Sequence, residues 1–219
     1  ERLPKILLDL PGWILDHPNH NRHIVNKYKV VVADRRNSRS DNWRHKYLGV
    51  QDKLIYEDFD LSDFDSIFRI FSKYKFDEVY NLAAQSFVKS SFTTPISTAN
   101  VTALGTLRIL EAIRITKKNT RFYQASSSEM IGNTPSKIQN EKSFLNPKSP
   151  YAISKVFAHH ITRNYRESYG IFACSGILFN HESPLRGEEF VTRKISKGLC
   201  EIKLKKRSLL ELGNLDSER

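Results

Sequence analysis

Tyr151 and Lys155 lie four residues apart in the stretch SPYAISKVFAHH, a spacing that puts both side chains on one face of a helix. An ammonium beside a phenol favours the phenolate and lowers a pKa that is otherwise about 10. A phenolate near neutral pH takes the proton of an alcohol, and the same carbon can then release a hydride to a nicotinamide. The spacing alone is weak, because exposed helical pairs share it. It gains weight from whatever site the chain builds around it.

Three further clusters have chemical potential. In QASSSEMIG, Ser126, Ser127, Ser128 and Glu129 follow a strand candidate that ends near Ala125, and the carboxyl ends of parallel strands are where such folds bind ligands. Extended backbone would aim Ser127 and Glu129 the same way, setting a hydroxyl and a carboxylate before one substrate; a Ser-rich turn with a solvated Glu is the alternative. In FNHESPLRGEEFVTRK, Asn180, His181, Arg186, Arg193 and Lys194 supply donors and positive charge suited to phosphates, unless the segment is a solvated loop. Arg35, Arg36, Asn37 and Ser38 follow another strand end. Arginines there suit the 2′-phosphate of NADP, whereas a lone acid suits NAD, and Asp34 competes for that second reading.

The elements that must position these groups form an alternating pattern from Tyr28 onward. Strands are expected at 29–34, 54–56, 78–82, 121–125 and 172–179, and long helices at 98–116 and 151–169. Alternation of this kind predicts an α/β fold, a doubly wound, Rossmann-like parallel sheet. Ser62 and Asp65 resemble a capping box ahead of Phe64, Ile67, Phe68 and Phe71. In the helix expected at 98–116, Val101, Leu104, Leu107, Ile109, Leu110 and Ile113 fall largely on one face. Residues 1–28 do not join the pattern, since Pro4, Pro11 and Pro18 interrupt any helix and no clean strand precedes them.

Composition narrows the class. The 219 residues are 39% apolar and 27% charged, which excludes disorder, collagen and a disulfide scaffold. Cys174 and Cys200 have no metal-ligand spacing, so they are expected to be reduced, buried or incidental thiols with no structural zinc. The net charge of +11 points to anionic partners. KLKKR at 203–207 reads as a solvated basic face, and no recognition-helix or aromatic-platform motif accompanies the charge, so nucleic acid is not expected. No apolar run approaches the ~18 residues of a membrane span, and no signal peptide is visible, so a cytoplasmic protein without membrane contact is expected.

The residues from 29 onward resemble the GDP-mannose 4,6-dehydratase family of extended short-chain dehydrogenase/reductases. The resemblance runs through RRNS (35–38), DLSD (60–63), YNLAAQS (80–86), GTLRILEAI (105–113), FYQASSSE (122–129), SPYAISK (149–155), ILFNHESPLRG (177–187), FVTRKI (190–195) and LGNLDSER (212–219). It implies NADP held by Arg35, Arg36, Asn37 and Ser38, with Asp60 and Leu61 beside the adenine. Leu82, Ala83, Ala84, Gln85 and Ser86 would follow the middle of the cofactor, and His181 and Arg186 would complete the set. Tyr151 and Lys155 would be the oxidation pair and would also hold the cofactor. Glu129 would handle the C5 proton and the departing water, and Ser127 would stand where the family usually has Thr. GDP-mannose would meet Ser86, Ser127, Glu129, Asn180, Val191 and Lys194. The implied reaction oxidises C4, eliminates water across C5 and C6, and reduces C6. Its product, GDP-4-dehydro-6-deoxy-mannose, leads to GDP-fucose and related deoxysugars. The family forms homo-oligomers.

The chain also departs from the family pattern. Gly12 is the only glycine before Gly49, so the Gly-rich turn that lets a backbone approach a pyrophosphate is absent or degenerate. Ser97 aligns with a family tyrosine that contacts NADP. The expected organisation is a divergent segment at 1–28, an NADP-binding domain at 29–180 and the start of a GDP-sugar region at 181–219, a chain truncated at both ends. Two readings follow: a dehydratase, or a non-catalytic family member that has lost cofactor binding.

Overall fold

The structure, a computed structural model, describes residues 27–35, 43–133, 138–213 and 215, and the backbone of 4–8. Its strands are β1 (Pro4–Leu8), β2 (Lys29–Asp34), β3 (Leu54–Asp58), β4 (Glu78–Asn81), β5 (Arg121–Ser127) and β6 (Ala173–Leu178). They form one sheet in the order β3-β2-β1-β4-β5-β6, every pairing parallel. The doubly wound α/β architecture read from the alternation is the one observed.

The first strand corrects the sequence reading. Pro4–Leu8 is a central strand, pairing β2 on one side and β4 on the other. Proline at the first position of a strand is tolerated because it forfeits no interior ladder hydrogen bond. Pro4 therefore does not exclude residues 4–8 from the sheet. The turn that follows β1, where a Gly-rich motif would fall, lies outside the described residues.

Side chains along β2 show why the sheet is buried on both sides. Val31 belongs to the large core with Ile67, Ile70, Phe71, Val79, Ile109, Leu110, Ile113 and Phe122. Val30 and Val32 point the other way, into a second cluster with Leu48, Val50 and Leu185. A period of two on a sheet covered on both faces produces this split.

The described helices are α1 (Trp43–Tyr47), α2 (Phe64–Tyr74), α3 (Val88–Thr93), α4 (Pro95–Thr98), α5 (Gly105–Thr116), α6 (Pro150–Tyr169) and α7 (Val191–Lys203). The cap of α2 differs from expectation. Asp63 is the N-cap and accepts from the Asp65 N–H, while Ser62 donates both its N–H and its hydroxyl to Asp60. The helix expected at 98–116 is in fact α4, a π-helical turn at Ala99–Leu104 and α5. The wider turn shifts the buried face, and Leu104 is left 41% exposed. Helix α6 follows its signals: Ser149 caps it by accepting from Ala152 N–H, Pro150 starts it, and Gly170 ends it at φ 67°. That left-handed conformation suits glycine at a helix C-terminus.

Candidate active site

At the carboxyl ends of β4, β5 and β6 lies a cavity of about 400 Å³. Helix α6 delivers Tyr151 and Lys155 into its wall, and both are nearly buried, at 8% and 3% exposure. The Lys155 ammonium stands 5.8 Å from the centre of the phenol ring. It donates to the Ala125 carbonyl at 2.8 Å. The shared face inferred from the four-residue spacing is the one the helix presents.

Strand β5 brings the second group. Ser127 closes the strand and accepts from the Glu129 N–H at 3.2 Å, capping a 3-10 turn at Ser128–Met130. Glu129 thus sits on a turn and not on the extended backbone expected, yet Ser127 and Glu129 both line the cavity. Ser127 is also hydrogen-bonded to Tyr151. Ser126 lines the cavity too, and its hydroxyl meets His159 Nδ1 at 3.2 Å.

The protonation of Tyr151 departs from expectation. Burial pushes the phenol up to about 12; the Ser127 hydrogen bond and the Arg186 guanidinium pull it down, and Glu129 adds to the rise. Desolvation outweighs the neighbouring donors and charge, so the phenol stands protonated at neutral pH.

The segment after β6 closes the cavity. Asn180, His181, Arg186 and Val191 line it. Arg186 donates to the His181 carbonyl at 2.8 Å, pairs with Glu182 at 3.3 Å and lies 3.9 Å over the Phe190 ring. Leu185 anchors the segment by inserting beside Val30 and Val32. Lys194 and Arg193, early in α7, are not among the lining residues.

Of the residues expected along the middle of a cofactor, Leu82, Ala84 and Ser86 line the cavity. Ala83 packs on the core, and the Gln85 N–H donates to Thr102 Oγ1 at 3.2 Å. Arg35, Asp60 and Leu61 lie just past β2 and β3, outside the cavity lining. Hydrogen bonds from Ser62 hold the Asp60 carboxyl below the usual range, helped by Arg35 and Arg108. Arg108 also donates to the Leu61 carbonyl at 2.9 Å. Arg36, Asn37 and Ser38 lie outside the described residues.

Two cations of the wall were not singled out from sequence, Arg44 and Lys89. Arg44 reaches from α1 to donate to the Leu185 carbonyl at 2.8 Å. No motif marks either one, because their place is set by a tertiary approach. Among the described residues no group of three His, Cys, Asp or Glu side chains is placed to hold a metal ion. Cys174 and Cys200 are both free and exposed, which leaves the incidental-thiol alternative and not the buried one.

The donor set fits a nicotinamide nucleotide. A phenol, an ammonium, hydroxyls and a guanidinium share a cavity with Leu82, Ala84, Leu178 and Phe179, which gives polar fixing points on apolar walls.

Solved structures share this architecture. DesIV, a dTDP-glucose 4,6-dehydratase from Streptomyces venezuelae with NAD and TYD bound, aligns with a TM-score of 0.76 at 21% identity, over 91% of this chain and 62% of that one. A UDP-N-acetylglucosamine 4-epimerase from Methanobrevibacter ruminantium, in complex with UDP-N-acetylmuramic acid, gives 0.75 at 21% identity, over 92% and 63%. The fold, with the Tyr151–Lys155 wall at the carboxyl ends of its strands, defines a Rossmann-type, doubly wound α/β protein.

Sequence narrows the class. Residues 20–219 match the family model for GDP-mannose 4,6 dehydratase. The chain is 50% identical over 202 residues to GDP-mannose 4,6-dehydratase of Vibrio cholerae, covering 88% of this chain and 53% of that protein. To the Drosophila melanogaster enzyme it is 51% identical over 182 residues, covering 82% and 45%. This chain belongs to the GDP-mannose 4,6-dehydratase family. It spans about half the length of the curated relatives it matches.

Proposed function

We propose that this chain takes part in converting GDP-mannose to GDP-4-dehydro-6-deoxy-mannose, with NADP as the tightly held cofactor. The observation that carries this reading is the convergence of Tyr151, Lys155, Ser127 and Glu129 on one cavity at the carboxyl ends of the sheet. When bound, NADP+ supplies a hydride acceptor that later returns the hydride, and one further positive charge.

The residues divide the proton work. Tyr151 receives the proton of the C4 hydroxyl, with Ser127 sharing its hydrogen bond and Lys155 holding positive charge near it. A C4 ketone acidifies the C5 proton; Glu129 takes that proton and delivers it to the departing C6 hydroxyl, which leaves as water. The protonated phenol then holds a proton for C5 when C6 is reduced. Because burial alone leaves Tyr151 protonated, its first step needs added positive charge near the phenol.

Binding is assigned by charge. Arg35, Arg36, Asn37 and Ser38 would recognise the 2′-phosphate, with Asp60 and Leu61 beside the adenine; Leu82, Ala83, Ala84, Gln85 and Ser86 run along the middle. His181 and Arg186 complete the cofactor set, and Asn180, Val191 and Lys194 meet the GDP-sugar. Relatives of this fold crystallised with NAD support a nicotinamide cofactor, and the arginines after β2 favour NADP over NAD. Residues 29–180, with the central strand β1 (Pro4–Leu8) completing their sheet, would form the cofactor domain and 181–219 the start of the sugar-nucleotide region. A homo-oligomer is supported by the apolar side chains that α3, α4 and α6 leave outside: Phe92 is 61% and Ile96 82% exposed, with Ile153 also exposed. Among the described residues no helix is long and apolar enough to cross a membrane, and a cytoplasmic setting is proposed.

The purified chain is expected to be retained on immobilised NADP and eluted by free NADP before NAD. Given GDP-mannose, the eluted protein should form the 4-keto-6-deoxy product, followed by NMR. Failure to bind NADP sinks the dehydratase reading for this chain. Retention without product favours the non-catalytic family member.

A further inference from the structure

Behind the cavity, between β4, β5 and the π-helical turn, lies a buried polar cluster that the proposed chemistry does not use. Asn81, Thr106 and Gln124 are all fully buried. Asn81 Nδ2 donates to Gln124 Oε1 at 2.8 Å and to Thr106 Oγ1 at 3.3 Å. Thr106 Oγ1 lies 3.2 Å from Gln124 Oε1 and 3.0 Å from the Thr102 carbonyl. Gln124 Nε2 donates to the carbonyl of Ala125 at 3.0 Å. That same oxygen accepts from the Lys155 ammonium at 2.8 Å.

The order of these bonds has a direction. A carbonyl oxygen only accepts, so Gln124 must turn its NH2 toward Ala125, which leaves Oε1 facing Asn81. Asn81 must then present its own NH2, and its Oδ1 is left buried without a hydrogen-bond partner. Flipping either amide would set two acceptors against each other. The orientation of the whole cluster is therefore fixed by the oxygen that holds Lys155. The β4 ladder ends at Asn81 opposite Gln124, one residue short of Ala125.

We propose that Gln124 is a positioning residue for Lys155, acting through the Ala125 carbonyl to which both side chains donate. An ammonium on a flexible four-carbon stem has many rotamers. A charge-assisted hydrogen bond to an oriented carbonyl selects among them. Gln124 steadies that carbonyl from the core side, and Asn81, donating to its Oε1, steadies Gln124. The cluster also touches the backbone between the lining residues Ala84 and Ser86: Thr102, whose carbonyl Thr106 meets, accepts through its hydroxyl from Gln85 N–H. The inference rests on the reading of Tyr151 and Lys155 as the oxidation pair.

The test is pulse acetylation of the full chain with acetic anhydride, reading Lys155 against exposed Lys203 by mass spectrometry. Gln124→Met, which keeps the length and loses the donor, is expected to raise the Lys155/Lys203 ratio about fivefold to tenfold, the scale of one lost hydrogen bond. Thr106→Val loosens the same core but leaves the Gln124–Ala125 bond, and is expected to stay within about twofold of wild type. Should Gln124→Met not fold, the Asn81→Leu/Gln124→Met pair removes both amides and leaves neither unpaired. A folded Gln124 variant with an unchanged ratio overturns the proposal, as does Thr106→Val raising the ratio as much as Gln124→Met. Fluorescence titration with NADP forms a second arm, in which Gln124→Met should weaken binding about tenfold. If wild type does not bind NADP, the proposed function fails, while the acetylation result still judges the positioning of Lys155.

Discussion

Tyr151 shows how far a residue's chemistry depends on what surrounds it. Its pairing with Lys155 is visible as an i, i+4 spacing, but its protonation is set by burial, which holds the phenol near 12. Tyr151→Phe removes only the hydroxyl and its bond to Ser127, so the fold should survive while turnover falls about 10²- to 10⁴-fold, the usual worth of a general acid–base group. Steady-state rates and near-UV circular dichroism check both halves. Glu129→Gln should lower turnover by a similar factor of about 10² to 10⁴, with GDP-mannose affinity by calorimetry little changed. A loss of affinity matching the loss of rate would recast Glu129 as a binding group. Ser126 with His159, Ala125 with Lys155 and Arg44 with Leu185 have no sequence signature, because each partner lies many residues away.

Elements were legible where one local signal dominates and illegible where two compete. The hydrophobic spacing of α2 marks the helix, yet Ser62 and Asp63 are both competent caps, and the choice falls to Asp63 because Ser62 is occupied by Asp60. Asp63→Ala should destabilise the protein by about 1 kcal/mol, and Ser62→Ala by under about 0.5 kcal/mol, as read by urea denaturation. Equal losses would return the cap to Ser62. Gly105, where the π-helical turn meets α5, packs against the loop after β3: a Cβ built there would stand 2.9 Å from Leu61 Cβ. Gly105→Ala should cost about 1–3 kcal/mol by overpacking. It should also weaken NADP binding, since Leu61 is assigned to the adenine.

For the molecule as a whole, acid should act in two stages. Burial keeps His45 and His159 below their ordinary value of 6.5, so the unfolded chain binds their protons more readily than the folded one. Stability is then full above about pH 6.5 and falls as pH drops below it. The second stage comes from Glu57 and Glu111, held below their ordinary 4.5 chiefly by hydrogen bonds from Lys73 and Arg114. Their contribution is present above that pH and is lost as the carboxylates protonate. A melting curve measured against pH should show both limbs, and the His45→Gln/His159→Gln pair should flatten the upper one alone. An upper limb unchanged in that pair would assign it elsewhere.

Local information determined the alternation of strands and helices, the helix bearing Tyr151 and Lys155, the serines before Glu129 and the family to which the chain belongs. Each is carried by neighbours in the chain, through side-chain period, caps and short motifs. The tertiary structure alone decided the place of Pro4–Leu8, which becomes a central strand only because β2 and β4 stand ready on either side. It also decided that Leu185 and Arg44 fasten the segment after β6 over the sheet. The state of Tyr151 and the hold on Lys155 belong to it as well. Desolvation and hydrogen bonding act between atoms brought together from distant parts of the chain, and sequence spacing carries no record of that approach.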